Sequence, residues 1–315
     1  MQKKNSVLSR PLVCGLLASF CCLLWGSAVP FLNVGYREFQ IASGDTPSLI
    51  LFAGCRFFLA GCLTVLFTSA LRRKFARPKD GNWGIVVKLS LVQTVAQYVL
   101  FYIGVANTPS VKASIIQGLL AFVNILVACY IFRSERMNGV KWMGGLIGVA
   151  GIVLVNLDGS GLGGSLSLSG EGALMASMFT NALSAGLIKI YGKREDSMVL
   201  SGWQFMLGGA VMAIAGVAMG GNLGAGSMLG GTVLLYLGFL SATAYTLWAV
   251  LLNHNPVSSV TVYSFLQPIF GVMLSLMLVP GDGPVPLLRY GAALLLVSAG
   301  IVIVVRGQRE KAQKA

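Results

Sequence analysis

Charged residues are scarce in this chain. They make up 10% of its 315 residues, and hydrophobic residues make up 56%. An average soluble protein has about 25% charged residues. This composition excludes an ordinary water-soluble domain and predicts a polytopic membrane protein.

The residue constellations that support catalysis or metal binding are also missing. The sequence has no metalloprotease helix motif, Walker loop, zinc-type cysteine pairs or nucleophile elbow. The single histidine, His254, falls in a predicted turn, and "PGDG" (280–283) is typical of a turn rather than of a catalytic aspartate. The six cysteines all fall in predicted helices, where they are expected to pack as small apolar residues. We therefore predict no enzyme, no cofactor and no metal site.

Long apolar runs dominate what is present. A helix needs about 20 apolar residues to cross a hydrocarbon core of about 30 Å. The runs are continuously apolar rather than alternating, which favours helices over a β-barrel. The sequence therefore predicts an all-α integral membrane protein with ten transmembrane helices, at 11–33, 48–70, 84–105, 110–131, 139–156, 170–190, 198–219, 230–252, 256–279 and 285–305. The first run is longer than a signal-peptide core and recurs in mid-chain, so we interpret it as a retained helix.

Basic residues give the expected orientation. The net charge of +13 comes from short clusters between apolar runs, a pattern that indicates membrane topology and not nucleic-acid binding. Most of the 23 basic residues fall on one side of the membrane if the N-terminus is inside. Both termini are therefore predicted to be cytoplasmic.

The chain also contains an internal repeat. A shift of 148 residues places "RFFLAG" (56–61) over "QFMLGG" (204–209), and a shift of 147 pairs Tyr98 with Tyr245. An odd number of helices in each repeat inverts the second copy relative to the first, an arrangement that recurs in transporters. The expected organisation is a cytoplasmic tail (1–10), a first five-helix repeat (11–156), an external linker (157–169), a second five-helix repeat (170–305) and a cytoplasmic basic tail (306–315).

Four motifs carry a family resemblance: "LLWGSAVPF" (23–31), "RFFLAG" (56–61), "SERMNGVKWMGGLIGVAGIVLV" (134–155) and "LQPIFG" (266–271). In their order and spacing they resemble an EamA-type member of the drug/metabolite transporter superfamily. The resemblance implies a secondary transporter of small organic metabolites such as amino acids or their derivatives, often an exporter. Alternating access through a central cavity and a bacterial-type inner membrane are implied with it.

Arg56 is the most unusual residue in an apolar run. It lies about 12 Å into the second predicted helix, too deep to reach water easily. We expect it to face the protein interior or a wet cavity, where it either bonds neighbouring helices or contacts a substrate carboxylate. Its counterpart in the second repeat, Gln204, keeps hydrogen-bonding capacity without the charge.

Polar and aromatic residues in the apolar runs supply the candidate substrate site. The pair Tyr98 and Tyr245 is expected at similar depth on opposite sides of a pseudo-twofold axis. Further polar and aromatic candidates are Gln97, Phe101 and Asn181. The predicted substrate-binding residues are Trp25, Arg56, Tyr98, Gln117, Gln204, Tyr245, Trp248, Tyr263 and Gln267.

The ten acidic residues all fall in predicted loops or near helix ends. This argues against a buried carboxylate that balances a cationic substrate, although an aromatic cage can hold a quaternary amine. The expected partner is a zwitterionic or anionic small metabolite in a lipid bilayer. A membrane receptor or assembly component that binds without transport is the alternative. Substrate identity, direction, coupling and oligomeric state are left open by the sequence.

Overall fold

A computed structural model describes residues 7–42, 44–108, 116–117, 119–156, 167–278, 291–292 and 295–304. Within these ranges the chain is helical and contains no strand. The helices are α1 (Pro11–Glu38), α2 (Thr46–Arg72), α3 (Trp83–Ala106), α4 (Leu120–Tyr130), α5 (Gly139–Asn156), α6 (Leu168–Tyr191), α7 (Ser197–Ala218), α8 (Met228–His254), α9 and α10 (Leu295–Val304). Helix α9 consists of three consecutive segments, Val257–Thr261, Val262–Phe265 and Leu266–Leu278.

Six helices in the described part of the chain, α1, α2, α3, α6, α7 and α8, are long and apolar enough to cross a membrane. The prediction of an all-helical, multi-pass membrane protein is confirmed. His254 is the last residue of α8 and does not lie in a turn. The "PGDG" turn and most of the external linker and terminal tails fall outside the described residues. Ten spans, inverted repeats and cytoplasmic termini stay predictions.

Short polar side chains begin several of the helices. The Asp45 carboxylate accepts the Ser48 N–H at 3.2 Å at the start of α2. The Asp196 carboxylate accepts the N–H groups of Met198 and Val199 at the start of α7. Each bond satisfies a backbone donor that the helix leaves without a partner. These caps fix where the apolar helices start.

Helices α2 and α7 pack together through glycines, in the most extensive helix contact of the described residues. A Cβ atom on Gly61 would collide with the backbone nitrogen of Met206, and one on Gly209 with that of Phe58. Backbones approach this closely in membranes where small residues line the interface. The pair forms the centre of the helix bundle.

Six further helix contacts follow a regular scheme. Helix α1 packs against α8 and α9, and α6 packs against α3 and α4. Helix α2 also contacts α8, and α7 contacts α3. If each helix of α1–α5 is exchanged with the corresponding helix of α6–α10, every one of these contacts becomes another contact of the same set. The contact of α1 with α8, for example, becomes the contact of α6 with α3.

A largely buried glutamate that is paired with a lysine of its own half also joins the two halves of the sequence through hydrogen bonds. Glu135, in the turn after α4, accepts a hydrogen bond from the Lys141 ammonium at 2.8 Å. Its carboxylate also accepts the backbone N–H and the hydroxyl of Ser258 at the start of α9. Burial raises the pKa of Glu135, but the Lys141 ammonium and the Ser258 hydrogen bonds outweigh it and bring the pKa below its ordinary value of 4.5.

We predict that Gly209→Val destabilises the protein while Gly231→Val does not. The first substitution forces the backbones of α2 and α7 apart, at or above the upper end of the about 1 to 3 kcal/mol that overpacking costs. A Cβ at Gly231 meets no atom within 4 Å. Thermal unfolding of the purified variants in detergent measures the difference. Equal melting temperatures for both variants would show that the glycine contact is not needed.

We also predict that Glu135→Gln lowers stability at pH 7, because it leaves the Lys141 ammonium buried without a counter-charge. A carboxylate with a lowered pKa stabilises the fold above its ordinary pKa, and this contribution disappears as the pH falls through the folded-state pKa. The gap between the parent and Glu135→Gln should therefore shrink below pH 4.5. Melting temperatures recorded against pH test this, with Asp80→Asn at an exposed ion pair as control. A gap that stays constant down to pH 3 contradicts it.

Candidate solute-binding cavity

A cavity of about 170 Å³ lies between the two halves of the sequence. Its wall is built from α1, α2, α3, α4, α6, α8 and α9, together with Gln117, which precedes α4. Its lining combines apolar and aromatic side chains with a few polar groups, as in sites for small molecules. The polar and aromatic lining residues are Trp25, Arg56, Gln93, Gln97, Tyr98, Phe101, Tyr102, Gln117, Asn124, Ser177, Asn181, Ser184, Ser241, Tyr245, Trp248, Ser264 and Gln267.

Seven of the nine residues expected to bind substrate line this cavity. They are Trp25, Arg56, Tyr98, Gln117, Tyr245, Trp248 and Gln267, and the further candidates Gln97, Phe101 and Asn181 lie there as well. The structure thus brings together side chains that are far apart in the sequence. Whether they bind substrate stays a prediction.

Gln204 and Tyr263, the other two residues expected to bind substrate, lie outside the cavity wall. The side-chain oxygen of Gln204 accepts the Thr94 hydroxyl at 2.7 Å, and its backbone oxygen accepts the Ser90 hydroxyl at 2.7 Å. Gln204 is fully buried and joins α7 to α3. Tyr263 is half-buried and packs against two apolar clusters of the core. Neither is among the residues that line the cavity.

The repeat-related tyrosines meet directly. The hydroxyl groups of Tyr98 and Tyr245 are hydrogen-bonded to each other. The Trp25 ring lies edge-on to Tyr245 and Trp248, with ring centroids 5.0 and 4.9 Å apart. The ring of Phe57 lies 4.4 Å from that of Tyr98. One wall of the cavity is therefore a continuous aromatic surface contributed by both halves.

Arg56 reaches this aromatic wall from α2. Its side chain is only 5% exposed, and the guanidinium carbon lies 4.4 Å from the Phe57 ring centroid and 5.8 Å from that of Tyr98. Cation–π contacts of this kind stabilise a buried charge in part. Tyr36, Tyr98, Tyr102 and Tyr245 lie close enough to interact electrostatically with the guanidinium.

No protein anion neutralises this charge within the described residues. None of the ion pairs there includes Arg56, and its buried Nε has no hydrogen-bond partner. A buried cation is costly unless it is paired and hydrogen-bonded. The cavity therefore has a strongly favourable position for an anionic group.

Other polar atoms on the cavity wall are also without partners in the described structure. They include two hydrogen-bond donors, Trp25 Nε1 and Gln117 Nε2, and two acceptors, Gln97 Oε1 and Asn124 Oδ1. Buried polar groups are nearly always hydrogen-bonded in native proteins. Their convergence on one cavity indicates a site for a polar molecule.

Sequence reasoning missed Gln93 and Asn124. Gln93 lies in a π-helical stretch of α3, Ser90–Ala96, and π-helical turns are frequent at functional sites. The available signal was an amide side chain inside an apolar run, one turn before Gln97 in the first case. The prediction relied on aromatic residues and repeat-related pairs, and it therefore selected other positions.

The fold has a counterpart among solved structures. A crystal structure that shares 16% sequence identity superposes with a TM-score of 0.75, covering 92% of this chain and 97% of the other. At that identity the likeness concerns the fold alone.

Three relatives are described as transporters. One is an uncharacterized transporter of Synechocystis sp., 28% identical over 282 residues that span 82% of this chain and 80% of the relative. The uncharacterized transporter YvbV of Bacillus subtilis is 26% identical, covering 95% and 93% of the two chains. The uncharacterized inner membrane transporter YedA of Escherichia coli is 26% identical, covering 84% and 81%.

A family model extends the similarity to nearly the whole chain. The model of the EamA-like transporter family matches residues 12–157 and again residues 168–306. The resemblance inferred from the four sequence motifs is thereby confirmed, and a transporter rather than an enzyme is what the family indicates. The chain belongs to the EamA-like transporter family.

Proposed function

We propose that this protein is a secondary carrier of small zwitterionic or anionic organic metabolites, amino acids or their derivatives among them. It exposes the central cavity alternately to the two sides of a bacterial-type inner membrane, with export as the expected direction. The observation that carries the proposal is Arg56, which is buried on the cavity wall and has no ion-pair partner among the described residues.

The charge balance of the cavity favours an anionic group on the solute. Arg56 has no counter-ion among the described residues, and the described lining residues include no carboxylate. A carboxylate that binds there supplies the missing negative charge, and a guanidinium matches its planar geometry. Trp25, Tyr98 and Trp248 offer ring surfaces to the apolar part of the solute.

The packing scheme supports an inverted repeat. The contact of α2 with α7 maps onto itself when the halves are exchanged, and α1–α8 maps onto α6–α3. The hydroxyls of Tyr98 and Tyr245, which correspond in the two repeats, meet at the centre. In this proposal a pseudo-twofold axis runs through this centre and the cavity lies at the repeat interface, where transporters with inverted repeats bind their solutes.

The membrane assignment rests on composition and on a relative. Apolar helices of the described chain are long enough to span, and the Escherichia coli relative YedA is described as an inner membrane transporter. The basic loop after α2 lies on the cytoplasmic side in this proposal, together with both termini.

A counterflow assay in proteoliposomes tests the carrier function. Vesicles preloaded with each member of a metabolite panel should take up the same labelled solute faster than empty vesicles. Carboxylate-bearing solutes should give this trans-stimulation. Saturable binding without trans-stimulated flux across the panel contradicts the carrier and supports a receptor that binds without transport.

Arg56 variants test the site itself. Losing a hydrogen bond to a charged group costs about 1.5 to 3 kcal/mol, so Arg56→Gln should weaken carboxylate binding by about 10- to 100-fold. Arg56→Gln should keep the fold better than Arg56→Leu, because glutamine still offers hydrogen bonds to its surroundings. Lys74→Gln, in the exposed loop after α2, is the control for loss of positive charge. Parental transport by both Arg56 variants excludes a role for this residue in binding or folding.

Cysteine labelling tests the orientation. A cysteine at Asn222, an exposed position in the loop between α7 and α8, is expected to react with an impermeant maleimide in intact cells. A cysteine at Lys74 should react only after permeabilisation. The parental protein controls for its six native cysteines. The reverse pattern overturns the predicted topology.

A further inference from the structure

We propose that Asn124 and Gln97 form an acceptor pole in the cavity, which binds a hydrogen-bond-donating group of the solute. The carrier then selects amphoteric solutes, which bear a protonated amine and a carboxylate, over simple carboxylates. This inference rests on the proposed function and names the solute class that the site prefers.

Asn124 provides the clearest evidence because its orientation is fixed. Its side-chain Nδ2 donates to the Leu120 carbonyl one turn earlier in α4, at 2.9 Å. The side-chain oxygen therefore cannot exchange places with the nitrogen without losing that bond. Only 3% of the residue is exposed, and Oδ1 has no partner in the described structure. A buried acceptor on a cavity wall is thus held ready for a donor.

Gln97, on α3, is the second amide of the proposed acceptor pole. It is 8% exposed, and its Oε1 has no hydrogen-bond partner among the described groups. The Ser177 hydroxyl of α6 donates to the Gln97 backbone carbonyl at 2.8 Å, which anchors this part of α3. Both acceptors lie on helices that pack against α6.

The donors and the acceptors without partners on the cavity wall suit two different groups of the solute. Arg56, Trp25 and Gln117 present donors, which suit a carboxylate, whereas Asn124 and Gln97 present acceptors, which suit an ammonium group. The described lining has no carboxylate, so neutral amide oxygens and aromatic faces are what it offers a cation. A net cation would meet Arg56 without compensation, so an amine alone is disfavoured.

The acceptor pole is not duplicated in the second half of the chain. The shift of 147 residues that pairs Tyr98 with Tyr245 places Asn124 over Gly271 and Gln97 over Ala244. Neither counterpart has a side-chain acceptor. A solute with two different poles therefore has one preferred orientation in the cavity, whereas a symmetric wall would accept it in two.

Discrimination follows from the cost of leaving an acceptor unsatisfied. A simple carboxylate bound at Arg56 leaves both amide oxygens without a donor. Each buried unsatisfied group costs about 1 to 3 kcal/mol, which corresponds to about 5- to 150-fold in affinity. We expect the amine-bearing member of a matched pair to bind at least about 10-fold more tightly.

Competition in the counterflow assay tests this with matched probes. The pairs are L-phenylalanine with 3-phenylpropanoate and L-leucine with 4-methylpentanoate, each used to inhibit flux of the panel solute that gives the strongest trans-stimulation. The parental protein should prefer each amino acid. Asn124→Leu, which removes the acceptor at similar side-chain size, should lose most of the preference while its affinity for the desamino acid is retained. Asn107→Leu is the matched control, because Asn107 makes the same bond to its own helix, to Ile103 at 2.8 Å, at an exposed site outside the cavity.

Asn124→Asp gives a second reading that does not depend on the stability of the leucine variant. An added negative charge should improve inhibition by 2-phenylethylamine at least about 10-fold. Equal affinities of the parental protein within each pair, failure of both members to compete, or an unchanged preference in Asn124→Leu overturns the acceptor pole. In those cases the Arg56 variants still decide the proposed function, because insensitivity of carboxylate flux to Arg56→Gln contradicts that proposal alone.

Discussion

The structure depends on a buried positive charge that no described residue neutralises. Arg56 is 95% buried in α2, contacts aromatic rings and has no anionic partner among the described residues. In a medium of low dielectric constant such a charge is tolerated only with compensation, and aromatic faces supply part of it. In the proposed function, an anionic group of the solute in the cavity beside Arg56 supplies the remainder. The free energy of the protein is then higher with an empty cavity than with a bound anion, and this difference favours selective binding of anions.

The helix packing explains how this charge comes to lie at the centre. Glycines let α2 and α7 touch along their backbones, so residues of α2 are placed against the middle of the bundle. Tyr98 from one half and Tyr245 from the other close around the same point. The Glu135 network fixes the turn after α4 to the start of α9, away from the cavity. Close contacts thus surround a space that the side chains leave unfilled.

The sequence alone predicted an all-helical membrane protein and ten of the polar and aromatic residues on the cavity wall, and it failed where tertiary contacts decide the outcome. Where the structure describes them, the apolar runs place most helix ends within a few residues, except that α1 continues to Glu38. The predicted starts of the fourth and tenth helices, at 110 and 285, lie outside the described residues. Buried charge and repeat correspondence led to Arg56, Tyr98 and Tyr245. The same correspondence suggested a role for Gln204, but its side-chain oxygen accepts the Thr94 hydroxyl and the residue does not line the cavity. Asn124 was missed because an amide in an apolar run shows no sign of which of its atoms lacks a partner.

The most direct test of the central claim is an experimental structure of the protein with the solute that gives the strongest trans-stimulated flux. The account predicts an anionic oxygen of that solute about 3 Å from the Arg56 guanidinium, in the cavity beside Tyr98 and Tyr245. A solute bound away from Arg56, or a protein carboxylate paired with Arg56 in the complex, would contradict it.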